Sequence, residues 1–178
     1  EARVRKLRSP VDYTTSSVSQ SESSIIRLKL KRASFGAELS FGDIEFRSQV
    51  YAYYRIPLGG RDRQAKAQFQ PLGAAAPPEQ AFETTSIWLT LPKFAKKYDE
   101  QTFKAGLRSM AKALAMAVTI QEFCDPADVD AVELTTHPDT SQPTIFIHDT
   151  VPGGIGIAEQ AYYDFENVFR RAYRILKE

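Results

Sequence analysis

Between residues 25 and 47 apolar and charged positions alternate along the chain. Ile26, Leu28 and Leu30 interleave with Arg27, Lys29 and Lys31. Ala37, Leu39 and Phe41 repeat the two-residue period, and Ile44 and Phe46 alternate with Glu45 and Arg47. That period belongs to a half-buried strand. Gly42-Asp43, lying between two such runs, predicts a turn. Residues 49–56, Gln-Val-Tyr-Ala-Tyr-Tyr-Arg-Ile, are rich in β-formers and aromatics and predict another strand, stopped by Pro57 and Gly59-Gly60. Upstream, the Ser/Thr-rich stretch from Thr14 to Ser24 has low hydrophobicity and reads as a strand edge or a mobile linker. Residues 57–83 are too long for an ordinary connection, which predicts a short strand around Ala67–Leu72. Ser86–Leu91 reads as a strand carrying the single tryptophan, Trp88, and ended by Pro92.

The period then changes. Phe103, Leu107, Met110, Leu114, Ala117, Val118 and Gln121 recur at steps of three and four, predicting one long helix from about Asp99 to Phe123, with one face buried except near its end and Pro126 beyond it. Asp99 and Glu100 suit its N-terminus. Strands are predicted at Ala131–Thr136 and Pro143–His148, flanking a His137-Pro138-Asp139 turn. A last helix runs from Ile157 onward, with Ala158, Ala161, Tyr162, Phe165, Phe169, Ala172 and Leu176 as its apolar stripe. The fold class is α+β: an N-terminal antiparallel β-sheet, then a mixed α/β part with two long helices packed on a sheet. The corresponding division is a basic, Ser-rich extension over 1–24, a β-rich subdomain over 25–92 and an α/β part over 93–178.

Composition changes this picture little. Of 178 residues, 43% are hydrophobic and 25% charged, enough for a real core without staples. One cysteine, Cys124, allows neither an internal disulfide nor a multi-cysteine zinc site and favours a reducing, cytoplasmic setting. No apolar run approaches the roughly 18 residues needed to span a bilayer. The chain opens at Glu1 and closes inside a helical pattern, so it reads as a piece of a longer protein. Net charge is +1, yet residues 1–66 hold 13 Lys/Arg against 7 Asp/Glu while residues 67–178 hold 10 against 15. Such asymmetry fits nucleic-acid contact or two differently solvated faces.

The densest local chemistry is Pro143–Glu159. A β-type run reaches His148-Asp149, then Pro152-Gly153-Gly154-Ile155-Gly156, then a helical pattern. Bare backbone N–H groups beside a helix start favour an anion. Two readings stay open for Asp149, Gly153, Gly154 and Gly156: a tight strand-to-helix connection held by Asp149 through backbone amides, or a phosphate-type anion site. The run lacks the Gly-Lys-Ser/Thr of a phosphate loop, and Glu159 stands where a dinucleotide fingerprint has its third glycine. His148 and Asp149 are adjacent on a strand and point to opposite faces. Cys124 reads as packing at a helix end, and His137-Pro138-Asp139 as turn chemistry. Metal binding is disfavoured by two histidines and one cysteine. Candidate nucleic-acid contacts are Lys104, Arg108 and Lys112, four apart on one helix face, and Arg27, Lys29 and Lys31 on a strand. Tyr51, Tyr53 and Tyr54 offer base-stacking rings or core. Arg170, Arg171, Arg174 and Lys177 complement the last helix's dipole.

Four stretches in order carry a family resemblance: Thr84-Thr-Ser-Ile-Trp-Leu-Thr-Leu-Pro92, Cys124-Asp-Pro-Ala-Asp-Val129, His137-Pro-Asp139 and Ile145-Phe-Ile-His-Asp-Thr-Val-Pro-Gly-Gly-Ile-Gly-Ile-Ala158. Residues 84–178 resemble the C-terminal domain of MrfA-type bacterial DEAD/DEAH-box helicases, a zinc-binding domain shared with Hrq-type helicases and a component of the DISARM phage-defence system. The resemblance is sharpest over Asp149–Gly156 and looser in the first half. It implies an accessory, non-catalytic domain of an ATP-dependent DNA helicase in repair or phage defence. Its partners would be DNA, single-stranded or duplex, and the motor domains, with no membrane. ATP with Mg and zinc are implied for the parent protein and no cofactor for this stretch. The family's four-cysteine cluster lies past the point where this sequence stops, and the helix segment Gly106–Leu114 lacks the histidine many relatives carry. No phosphate-loop lysine and no Asp-Glu-x-His box occur. The alternatives are an enzyme holding a small anionic substrate at Gly153–Gly156 with His148 or Asp149 as base, and a protein–protein scaffold.

Overall fold

A computed structural model of the chain describes residues 13–58, 67–92 and 99–177. The elements are β1 (Tyr13–Ser34), β2 (Ala37–Pro57), β3 (Gln68–Pro71), β4 (Gln80–Thr90), α1 (Glu100–Gln121), β5 (Val129–Leu134), β6 (Thr144–Asp149), α2 (Ile157–Tyr163) and α3 (Phe165–Lys177). The strands form one sheet in the order β1-β2-β4-β6-β5, with β3 added to β2. The β2–β3, β4–β6 and β5–β6 pairs are antiparallel. The protein is α+β, as its patterning implies. It resolves into two compact units: residues 1–21 with 48–80, and residues 22–47 with 81–178.

The larger unit buries its sheet on both faces. Leu39, Phe41, Ile87, Leu89, Ile145 and Ile147 meet Leu107, Leu114 and Val118 of α1 and Ala161, Phe165 and Val168 of the last two helices. The other face packs Ile44, Phe46, Trp88, Val132 and Phe146. Neighbouring strand residues point to opposite faces, so β6 between β4 and β5 is buried at every position.

This double burial explains a correction. Gly42-Asp43 is not a turn, because β2 runs unbroken through it and on through residues 49–56. Leu39 and Phe41 serve the helix-covered face, and Ile44 and Phe46 the other. The parity of the apolar positions shifts because a different face is being buried. Gly42 is required by close approach: a Cβ there would collide with the Arg27 carbonyl of β1 and press on Trp88. Thr14–Ser24 belongs to the edge strand β1, which is the strand-edge reading of that stretch and not the linker, while residues 1–12 lie outside the described residues.

A second correction concerns the terminal helix, which breaks at Asp164 into α2 and α3. The Asp164 carbonyl accepts from the amides of Asn167 and Val168. Its carboxylate accepts from the Asn167 side chain at 2.6 Å and from Gln121 of α1 at 2.6 Å. One residue thus restarts the helix and ties it to α1.

In the smaller unit Tyr54 of β2 lies opposite Phe69 of β3, and Arg55 opposite Gln68. The Tyr54 and Phe69 rings meet edge-on at 5.5 Å. On the other side of the ribbon the Arg55 guanidinium lies 3.9 Å from the centre of the Tyr13 ring.

Candidate nucleic-acid interface

Of the two candidate chemistries, the glycine turn has its donors in use. Asp149 is fully buried. Its Oδ2 accepts from the backbone N–H of Ile155 at 2.7 Å and Gly156 at 3.0 Å, and from Thr85 Oγ1 at 3.1 Å. Its Oδ1 accepts from the Ala158 N–H at 2.9 Å. These are the amides at the start of α2 that an external anion would seek. Thr84 Oγ1 donates to the Asp149 carbonyl at 2.8 Å, and the Gly153 N–H to Glu83 O at 2.8 Å. Gly154 has φ +76, and a Cβ on it would run into the Thr85 hydroxyl. The sequence folds locally into a carboxylate wrapped by its own turn.

His148 faces away from that cradle. It is 1% exposed, its ring 4.4 Å from that of Phe46, and its Nδ1 has no hydrogen-bond partner. Burial pushes its pKa below the ordinary histidine value, against the opposing charges of Asp130 and Asp149. A neutral imidazole sealed in the core has no access to a substrate. His137 is also fully buried. Its Nε2 lies 2.8 Å from Ser23 O, and its Nδ1 accepts the Asp139 N–H at 3.2 Å. Asp139 in turn accepts the Ile25 N–H at 3.0 Å, so this turn fastens β1. Cys124 is half-buried, and burial raises its thiol pKa above the ordinary value, away from a reactive thiolate.

The basic candidates lie in two groups of different character. On β1, Arg27 and Lys29 both reach Asp43 at 2.5 Å, and Lys31 reaches Glu38 at 2.8 Å. Burial works to raise the Asp43 pKa, but hydrogen bonds and charge from Lys29 and Arg27 outweigh it and hold the carboxyl below its usual range. This row is therefore largely neutralised. On α1, Lys104, Arg108 and Lys112 form an exposed ridge. Arg108 lies 3.4 Å from Glu133 of β5, whereas among the described residues Lys104 and Lys112 make no ion pair. Asp99 begins the helix by accepting the Thr102 N–H at 2.9 Å. Cations near a helix N-terminus oppose its dipole, so helix stability does not account for Lys104 at that end.

The same helix carries what the sequence reading missed. Its ridge continues as Met116 and Ile120, 54% and 42% exposed, and ends at Phe123, 94% exposed. Phe123 has φ 53, and the Cys124 N–H reaches back to Thr119 O at 3.2 Å. That is a helix stop in which the left-handed position, usually glycine, holds an exposed aromatic. A phenylalanine five residues after Val118, the last apolar stripe position, was the available signal. Nearby, an open apolar groove of about 470 Å³ runs between Phe103, Leu107 and Met110 of α1 and Phe169 of α3, over Leu89 and Leu91. Among the described residues no charged side chain lines it.

Comparison with known proteins covers nearly the whole chain. Residues 110–178 match the family model described as MrfA Zn-binding domain. The chain is 24% identical over 178 residues to the uncharacterized ATP-dependent helicase YprA of Bacillus subtilis (strain 168), covering 99% of this chain and 22% of that protein. It is similar to the crystal structure of the DUF1998 helicase MrfA bound to DNA, with TM-score 0.67 and 23% identity over 90% of this chain and 21% of that one. The DUF1998 helicase MrfA bound to DNA and AMPPNP gives TM-score 0.56 at 22% identity, over 96% of this chain and 20% of that one. The chain thus spans about a fifth of the length of these relatives. The residues at hand do not fit a resident zinc. Both ring nitrogens of His137 are engaged, His148 is sealed beside Phe46, and a single thiol stands alone. Among the described residues no three histidine, cysteine or acidic groups converge on a metal position. Nor, among them, is any helix long and apolar enough to cross a membrane. Residues 110–178 thus match the MrfA Zn-binding domain model, and the chain as a whole is similar in sequence and fold to part of these helicases.

Proposed function

We propose that the chain is a non-catalytic accessory domain of an ATP-dependent DNA helicase that serves DNA repair or phage defence. It contacts the DNA backbone or packs on the motor. The observation that carries the reading is the likeness, along nearly the whole chain, to ATP-dependent helicases, one of them solved with DNA bound. The α1 ridge of Lys104, Arg108 and Lys112 is the surface suited to phosphate contact, because among the described residues two of its three cations make no ion pair. The Arg27, Lys29 and Lys31 row is the secondary contact, since its carboxylate partners compete with phosphate. The Asp149, Gly153, Gly154 and Gly156 turn serves as the joint that sets α2 on the sheet. ATP, Mg and zinc belong to the parent protein.

Binding dominated by phosphates falls steeply with salt, by a log–log slope of about 0.9 for each duplex phosphate neutralised. Labelled single-stranded and duplex DNA titrated at two salt concentrations measures that slope. The triple change Lys104→Glu, Arg108→Glu and Lys112→Glu is expected to weaken binding at least tenfold and to flatten the slope. Absence of binding at low salt would remove the DNA contact and leave packing on the motor.

A further inference from the structure

The two units divide the charge unevenly. Residues 1–21 and 48–80 hold eight Lys/Arg against four Asp/Glu, a net +4, while the remainder holds fifteen against eighteen. Among the described residues of the smaller unit, Arg55 is the single base and Glu79 the single acid, so the excess of positive charge comes from residues 1–12 and 59–66 of the sequence. The ribbon of this unit has an aromatic face. Strand residues two apart project to the same side, so Tyr51, Tyr53 and Arg55 of β2 share one face, about 7 Å apart along the strand. The register sets Gln70 opposite Tyr53 and Gln68 opposite Arg55. The Arg55 guanidinium lies over Tyr13, 3.9 Å from the ring centre. Tyr51 is 44% exposed and Arg55 is exposed, with Tyr53 and Tyr13 half-buried beneath them. On the reverse face the rings of Tyr54 and Phe69 contact each other above buried Ala52.

We infer that the Tyr51–Tyr53–Arg55 face of this ribbon is a stacking surface for the bases of single-stranded nucleic acid. The inference rests on the DNA-contact reading above and gives it a second, chemically different site. Three phenol rings, a guanidinium over one of them and two carboxamides match what a single strand presents, namely open base faces, polar base edges and phosphate charge. A surface built to dock an apolar protein segment would present exposed aliphatic side chains, and this one is polar at every tip. Duplex DNA hides its base faces, so this surface discriminates in favour of single strands.

The test measures anisotropy of a labelled oligothymidylate and of a duplex of equal length against the 178-residue chain. Tyr51→Ala with Tyr53→Ala is expected to weaken single-strand binding about tenfold or more while leaving the salt slope unchanged, because stacking releases no counterions. Tyr51→Phe with Tyr53→Phe keeps the rings and is expected to retain binding, which guards against a merely misfolded ribbon. Ring-deleted protein that binds single strands as the wild type does would overturn the inference, leave the DNA-contact reading standing and assign the face to a protein partner. Wild-type protein that binds no DNA at low salt would overturn both.

Discussion

Among the described residues, Asp149 is a buried carboxylate with no cation partner. It is fully buried, and donors surround its carboxylate: three backbone N–H groups and the Thr85 hydroxyl, at 2.7–3.1 Å. A buried carboxylate is costly unless it is thoroughly hydrogen-bonded, and hydrogen bonds to a charged group contribute more than neutral ones. Those donors open α2, so the helix dipole adds to the same stabilisation. Asp149→Asn keeps the shape but turns an NH₂ group toward backbone donors. The expected loss is about 2–4 kcal/mol in urea unfolding, with the secondary structure kept. A loss below about 1 kcal/mol would show that the cradle does not depend on the charge. Gly154 belongs to the same arrangement, since its φ of +76 and the Thr85 side chain at its Cβ position both demand glycine.

At the scale of elements the question is why β2 is one strand where its sequence reads as several. Glycine inside a strand signals close approach as readily as a turn, and at Gly42 the neighbour is the backbone of β1. A Cβ at Gly42 meets a carbonyl that cannot swing aside. Gly42→Ala should therefore cost about 2 kcal/mol or more in chemical denaturation, while alanine at Gly36, where a Cβ meets nothing within 4 Å, should cost only its positive-φ strain. The strand and helix periods of the larger unit were legible, because burial on a helix stripe or a sheet face imposes them locally. The break at Asp164 was not, because the apolar stripe from Ala158 to Ala172 passes through it without interruption. What decides that break is a hydrogen bond from Gln121, forty-three residues upstream. The basic candidates show the same limit. Their exposure follows from the pattern, but Asp43 and Glu133, which neutralise three of them, come from other strands.

For the whole molecule, charge count and charge availability diverge. The basic first third of the sequence includes the β1 row, yet that row is held by Asp43 and Glu38 of β2. A phosphate approaching Arg27 or Lys29 must displace a carboxylate that both cations already share. Because that carboxyl is held below its usual range, the neutralisation persists at any pH where it remains ionised and weakens only as acid protonates it. Removing the competitor separates charge from availability. Asp43→Asn leaves Arg27 and Lys29 in place without their shared partner, so DNA affinity should rise several-fold and the salt slope should steepen by about 0.9 for each new duplex phosphate contact. The folded state should lose little, because Arg27 is 67% exposed and such pairs contribute about 1 kcal/mol or less. The same titration used for the α1 ridge measures the change. An unchanged slope in Asp43→Asn, beside a flattened one in the α1 triple variant, would confine phosphate contact to the helix and make the β1 row an edge-protecting device, since cations on an edge strand also discourage pairing with a second sheet.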